Sequence, residues 1–180
     1  MAARELDYLL KRYKEIVSDI DDIEAVINGL CEELPEVEKI TQIKGIGVTT
    51  ASGIVAELGE IRKYQNPKQM IKMAGLALTE NSSGQKKGKM SISKRGRKDL
   101  RKILYQAVVG MIRTNAAFHE LYEYYRYRAK NQLTGKQAII VLVTKLLRII
   151  HTIVVKDVAY DEGKMMASIR HPEEFVVTGR

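Results

Sequence analysis

Apolar residues recur near the N-terminus with spacings that alternate between three and four residues. This alternation is the heptad pattern of a coiled-coil helix, and it continues without a break up to Pro35. It predicts a coiled-coil helix over residues 1–36 and self-association through that helix, whereas the alternative is an amphipathic helix packed on its own domain. The residues predicted to hold a homo-oligomer together are Leu6, Leu9, Ile16, Ile20, Ile23, Ile27 and Leu30.

Helical periodicity also dominates the rest of the chain. Two of these helices are predicted to start at Asn66 with Pro67 and at Thr134. The second of them is predicted to end near Val155. Two short runs, residues 76–79 and 90–93, flank a polar loop and predict strands. The apolar positions that predict the other helices are Ala51, Ile54, Val55, Leu58, Leu100, Ile103, Leu104, Ala107, Val108, Met111, Ile112, Phe118, Leu121, Tyr122 and Tyr125.

These patterns predict a mainly α fold class. An N-terminal coiled-coil helix over residues 1–36 precedes a helical domain over residues 37–156, followed by a polar tail at 157–180. The helical domain is expected to contain a helix-hairpin-helix-like element and one short β-hairpin. The apolar stretch from Ala138 to Val155 is interrupted by Lys145, Arg148 and His151, so we interpret it as a buried helix and expect no membrane contact.

Charge is distributed unevenly along the chain. The formal net charge is +8 and the pI is about 9.5, but residues 1–40 carry −6 and the remainder +14. A basic body attracts polyanions, either nucleic acid or anionic lipid. The single cysteine cannot form an internal disulfide, and the start of the chain has no signal-peptide pattern, so we expect a cytoplasmic protein.

The motif Ile-Lys-Gly-Ile-Gly at residues 43–47 is the first candidate for chemistry. Gly45 and Gly47 permit a tight turn, and the helix that Thr49 and Thr50 open points its positive end toward an anion. These four residues are predicted to bind a nucleic-acid phosphate, as in a helix-hairpin-helix element that grips the backbone without reading bases. A plain connector between two helices is the alternative.

A dense run of cations follows between residues 86 and 102, where Asp99 is the one acidic residue. The run straddles a glycine-containing loop and a helix start, where several cations can converge on one phosphate. A solvated charged face is the alternative. The cations predicted to contact nucleic acid are Lys86, Lys87, Lys94, Arg95, Arg97 and Arg101.

Ser82, Ser83 and Gly84 lie just upstream of this run. A serine can attack a phosphodiester where nearby cations stabilise the developing charge, although such a triplet is more often a flexible loop. The tyrosines between Tyr122 and Tyr127 offer another nucleophile, but helical spacing favours packing for them. No cluster of cysteine and histidine has the spacing of a metal site.

Together these motifs resemble the C-terminal domain of the insertion-sequence transposases related to the Piv DNA invertase. The similarity spans roughly residues 37–155, from QIKGIG through AGLA and SSGQKKGK to SKRGRKDLRKIL, although Lys44 replaces a usual proline and Gln85 a second glycine. It implies DNA transposition with Ser83 as catalytic nucleophile, DNA as partner, a guiding structured RNA and a coiled coil that pairs subunits.

The resemblance also implies a separate RuvC-like domain whose acidic residues bind divalent metal, with no cofactor held by this chain. Because such a domain is absent from the sequence, we expect the isolated chain to bind DNA without completing recombination. Two other functions stay open: a non-catalytic helix-hairpin-helix nucleic-acid-binding module that dimerises through its coiled coil, and a basic adaptor for protein or membrane contact.

Overall fold

A computed structural model describes residues 2–31, 33–80 and 90–167. The predicted mainly α fold with one β-hairpin is confirmed. A short 3-10 turn, Ile61–Lys63, follows the third helix. The elements in chain order are α1 (Ala2–Cys31), α2 (Pro35–Thr41), α3 (Val48–Leu58), α4 (Pro67–Met73), β1 (Leu78–Glu80), β2 (Met90–Ile92), α5 (Lys98–Thr114), α6 (Ala116–Tyr127), α7 (Gly135–Val155) and α8 (Glu162–Ala167).

Helix α7 is the central element of the core. It contacts α2, α4, α5 and α6, and it buries Leu142, Leu146 and Ile150 completely. Its start is fixed as predicted, because the Gln137 side chain accepts a hydrogen bond from the Thr134 amide at 2.9 Å. By length and composition α7 is apolar enough to span a membrane, yet its inward face is buried within the domain.

Helices α3 and α5 form an antiparallel pair that positions the candidate site. Gly45, just before α3, lies against Thr114 at the end of α5, and Gly53 in the middle of α3 faces Ile103. At the other end, Arg97 before α5 donates to the carbonyl of Glu57 near the end of α3. The start of each helix therefore lies beside the end of the other.

The β-hairpin is antiparallel, with Leu78 opposite Ile92 and Glu80 opposite Met90. Backbone bonds extend the contact beyond the strands, because Ser93 donates to the Ala77 carbonyl at 2.8 Å and Arg97 to that of Met73 at 2.7 Å. The chain leaving β2 thus runs along the segment that enters β1 before it turns into α5.

Both ends of the chain add detail to the predicted organisation. The predicted polar tail contains a short helix, α8, which the sequence analysis did not predict and which buries Met165 and Met166. Helix α1 is present as predicted and contacts α3, with Cys31 packed against the core. Most of its apolar seam is exposed, including Leu9 at 56% and Ile16 at 47%. The proposed domain boundaries and the coiled coil stay predictions.

Candidate nucleic-acid interface

The glycine turn, residues 42–47, joins α2 to α3 and is anchored from within. Ile43 and Ile46 are buried, whereas Lys44, Gly45 and Gly47 are exposed. Gly45 has φ +98°, and a β-carbon there would lie 2.9 Å from the Thr114 Oγ1, so this position requires glycine. Gly47 differs, because its φ is −85° and a β-carbon would meet nothing within 4 Å.

The side chain of Asn115, from the corner between α5 and α6, holds the glycine turn in place. Its side chain is almost fully buried, and its Nδ2 donates to the Lys44 carbonyl at 2.9 Å. Its Oδ1 accepts from the amides of Ala117 and Phe118 at 3.0 and 3.2 Å, which caps α6. One residue at the α5–α6 corner therefore fixes both the next helix and the conformation of the glycine turn.

The first turn of α3 lies directly behind the glycine turn and suits an anion. Its N-cap, Gly47, has no side chain to cap the free amides, and the first turn contains no acidic residue. Gly45, Thr49 and Thr50 line one side of a cavity of about 370 Å³, and α5 supplies the other side with Gln106 and Gly110. Four of the predicted phosphate-binding residues therefore lie at one place, and all of them except Gly47 line one cavity.

Two of the predicted cations, Arg97 and Arg101, form hydrogen bonds within the fold. Arg97 Nη1 donates to the Glu57 carbonyl at 2.6 Å and lies 3.6 Å from the Glu57 carboxylate. Arg101 Nη1 donates to the Ala74 carbonyl at 3.0 Å. Both side chains tie the start of α5 to neighbouring segments, which leaves fewer of their donors for a ligand.

Lys94 and Arg95 are exposed where the chain leaves β2. We define the basic segment as residues 94–102. It does not converge with the glycine turn, because the two lie at opposite ends of α3, whose 11 residues span about 16 Å. Exposed residues at every fourth position of α5 connect them: Lys98, Lys102, Gln106 and Gly110. The candidate interface is therefore a stripe along the α3–α5 pair.

The serine loop lies outside the described residues. Ser82, Ser83, Lys86 and Lys87 all belong to residues 81–89. The positions that bracket this loop are described, and Glu80 and Met90 are paired across the hairpin. The two ends of the loop therefore start from one fixed position at the end of the sheet.

Three residues of this interface were not predicted from the sequence. Gln106 and Gly110 follow Lys102 at intervals of four, so the polar face of α5 carried a signal for them. Asn115 comes directly after the apolar stripe of α5 and before that of α6, which is a typical N-cap position. Its bond to Lys44 spans 71 residues of sequence, and no local pattern contains that information.

The glycine turn, the β-hairpin and α5 all fall within one segment that matches a known protein family. A family model described as "Transposase IS116/IS110/IS902 family" matches residues 37–123. The resemblance to these transposases that was inferred from the motifs is therefore confirmed for this segment of the chain.

Individual relatives support the same assignment. The chain is 32% identical over 103 residues to the transposase for insertion sequence element IS1328 of Yersinia enterocolitica, covering 57% of this chain and 31% of that protein. It is 29% identical over 94 residues to the transposase for IS1111A of Coxiella burnetii, covering 52% and 26%. It is 27% identical over 156 residues to the pilin gene-inverting protein of Moraxella bovis, covering 85% and 48%. The chain thus spans between about a quarter and a half of these relatives.

Proposed function

We propose that this chain is the DNA-binding part of a transposase or site-specific DNA recombinase and that it holds duplex DNA along the α3–α5 stripe. The observation that carries the proposal is the arrangement of this stripe. It joins an uncapped helix start at one end to the exposed cations Lys94 and Arg95 at the other, with Lys98 and Lys102 between them. Contacts of this kind bind the phosphate backbone and position a protein on DNA.

Each end of the stripe binds phosphate by a different means. At the glycine turn, the first amides of α3 and the Thr49 hydroxyl donate hydrogen bonds to one phosphate, with Lys44 beside it. At the basic segment, long cationic side chains follow the backbone of the duplex. The separation of about 16 Å is well within one turn of B-DNA, roughly 34 Å, so both ends reach the same duplex.

Removing one cation from each half of the basic segment tests this proposal. For Arg95→Gln/Lys102→Gln, the affinity for duplex DNA at moderate salt should fall about tenfold or more. The slope of log affinity against log salt concentration should become less steep by about two units. Lys11→Gln/Lys14→Gln is the matched control, since it removes two exposed charges of the same sign from α1. Equal weakening by both variants would show that binding follows net charge and not this surface.

We further propose that Ser83 supplies the nucleophile for strand exchange. The seryl oxygen forms a bond to phosphorus, one backbone P–O bond breaks, the leaving oxygen takes up a proton, and the serine proton passes to solvent. Within residues 2–31, 33–80 and 90–167, no three histidine, cysteine, aspartate or glutamate side chains come together as a metal site. The acidic residues proposed to bind divalent metal belong to a separate domain of a longer protein. That protein acts in the bacterial cytoplasm and also binds a structured RNA.

We also propose that a second copy of the chain covers the apolar seam of α1. The seam keeps its heptad spacing over a helix of 30 residues, about 45 Å long, while Leu6, Tyr13 and Ile23 stay more than half exposed. An uninterrupted seam of this length is what two parallel or antiparallel helices bury between them. Pairing would place two DNA-binding surfaces in one assembly, as strand exchange between two sites requires.

Charges placed in the seam should separate the copies. Ile16→Asp/Ile20→Asp is expected to weaken self-association at least about tenfold, because each carboxylate would be buried against apolar side chains. Ser18→Asp/Ala25→Asp adds the same charge on the side of the helix away from the seam, and it should associate like the unmodified chain. Sedimentation velocity over a concentration series measures both, and a monomeric unmodified chain throughout the series would contradict the proposal.

A further inference from the structure

A cleft of about 630 Å³ lies on the outer side of α7, between this helix, α8 and Tyr125 of α6. This volume falls within the range of small-molecule sites, roughly 300–1,000 Å³. None of its lining residues belongs to the glycine turn, to α3 or to α5. The cleft is therefore separate from the surface proposed to bind duplex DNA, and an inference about it does not rest on that proposal.

The lining of this cleft carries more positive than negative charge. The lining includes Lys145, Arg148 and Lys164 against a single carboxylate, Asp161. Asp161 is engaged locally, because its Oδ1 accepts from the Lys164 amide at 2.9 Å and its Oδ2 lies 3.5 Å from the Lys164 ammonium. Burial, followed by the charge of Arg148, lowers the pKa of Lys145. Arg148 lines the cleft and is exposed, so its guanidinium is accessible to an anion from solvent.

Apart from Thr144 and Thr152, the rest of the lining is aromatic and aliphatic. Tyr125 and Tyr160 are both half-buried, and Val141, Ile149 and Ile153 add an apolar floor. Burial raises the pKa of Tyr125, with a smaller contribution from Tyr124, and raises the pKa of Tyr160 to about 12. Both phenols are therefore neutral at physiological pH and present flat rings to a ligand.

Tyrosine and arginine side chains form a surface at the end of α6. The Arg126 guanidinium lies 5.3 Å from the centre of the Tyr127 ring, and that of Arg128 lies 5.4 Å from the Tyr125 ring. Tyr125 belongs both to this surface and to the cleft. Interleaved aromatic and cationic side chains are how proteins hold unstacked bases beside their phosphates.

We propose that this cleft binds an unstacked nucleotide. The base packs between Tyr125 and Tyr160 over the aliphatic floor, and the phosphate lies at Arg148 with Lys145 behind it. An anion alone would leave the apolar floor and the two rings unused, whereas an uncharged aromatic molecule would leave the cations unused. The nucleotide is either free or one residue of a single strand, and both sources present the same chemistry to the site.

Equilibrium binding to the full chain tests the proposal with fluorescent adenosine monophosphate and with a short single-stranded oligonucleotide. Arg148→Gln and Tyr160→Leu should each weaken binding of both probes by about tenfold. Tyr160→Phe keeps the ring, and Arg113→Gln removes a cation from α5, so these two controls should bind normally. If Tyr160→Leu melts early, Arg148→Gln decides the test, because that side chain is exposed and its loss leaves the core intact.

Competition identifies the source of the nucleotide. Equal affinity for the monophosphate and the strand, with mutual displacement, supports a free nucleotide, whereas tighter binding of the strand supports a single-stranded ligand. Absence of binding by both probes, normal binding by Arg148→Gln, or inorganic phosphate competing as well as the monophosphate would each overturn the proposal. Duplex binding measured in parallel should not respond to Arg148→Gln, so failure here is distinguishable from failure at the α3–α5 stripe.

Discussion

Replacing Gly96 with alanine is expected to destabilise the domain by about 3 kcal/mol or more. Gly96 has φ +154°, and a β-carbon there would lie 2.3 Å from the Met73 carbonyl oxygen and 2.6 Å from the Gly75 nitrogen. Both neighbours are backbone atoms, which cannot move aside as a side chain does. Thermal unfolding should show a decrease in Tm of roughly 6–12 °C for a domain of this size.

Substitutions at two other glycines distinguish backbone strain from steric collision as the cause of this destabilisation. Gly59→Ala tests backbone strain alone, because its φ is +69° and a β-carbon would have no neighbour within 4 Å. Gly47→Ala introduces neither strain nor collision, and because alanine is a poorer N-cap than glycine, it should cost no more than about 1 kcal/mol. A Gly96→Ala loss no larger than that of Gly59→Ala would show that the chain leaving β2 is free to move away from residues 73–75.

A movement of the chain leaving β2 away from residues 73–75 would also affect the candidate interface. The backbone bonds that Lys94 and Arg97 donate to the carbonyls of Gly75 and Met73 fix the base of the hairpin and the start of α5 together. Gly96 lies between these two bonds and permits the close approach on which both depend. If this close approach of Gly96 is lost, both the stability of the domain and its DNA binding through Arg95 should therefore decrease.

Most of the helices were predictable because each depends on a local pattern. Ala51, Ile54 and Leu58 repeat at helical spacing, and the structure buries all three. The Asn66 cap is equally local, since its Oδ1 accepts from the Lys68 amide at 2.9 Å. Such signals extend over one or two helical turns, so tertiary packing reinforces them and does not change them.

The roles of the charged residues were less predictable, since a cation's partner depends on distant parts of the chain. Arg97 and Arg101 were predicted with Arg95 as phosphate-binding residues because the three are close in sequence. In the fold, Arg97 bonds to Glu57, 40 residues away, and Arg101 to the carbonyl of Ala74, 27 residues away. The position of the glycine turn relative to the basic segment was also outside any local pattern, because it depends on α3, which holds the two at opposite ends.

Replacing Ser83 with alanine is expected to abolish strand transfer by a protein with the full length of the relatives, by about a thousandfold or more, while DNA binding persists. The methyl group cannot form the bond to phosphorus on which the proposed reaction depends. A DNA substrate that traps the covalent intermediate gives a direct measurement, because the adduct should form with Ser83 present and not with Ser83→Ala. DNA binding is measured on the same variants, so a loss of binding is recognised separately.

Ser82→Ala is the matched control, since it removes the same hydroxyl one residue earlier in the same loop. Both substitutions lie between Glu80 and Met90, whose pairing closes the described part of the hairpin. Loss of transfer in Ser82→Ala and not in Ser83→Ala would contradict the assignment of the nucleophile. Normal transfer by both variants would exclude serine catalysis in this loop and favour a module whose part in transposition is to bind DNA through the α3–α5 stripe.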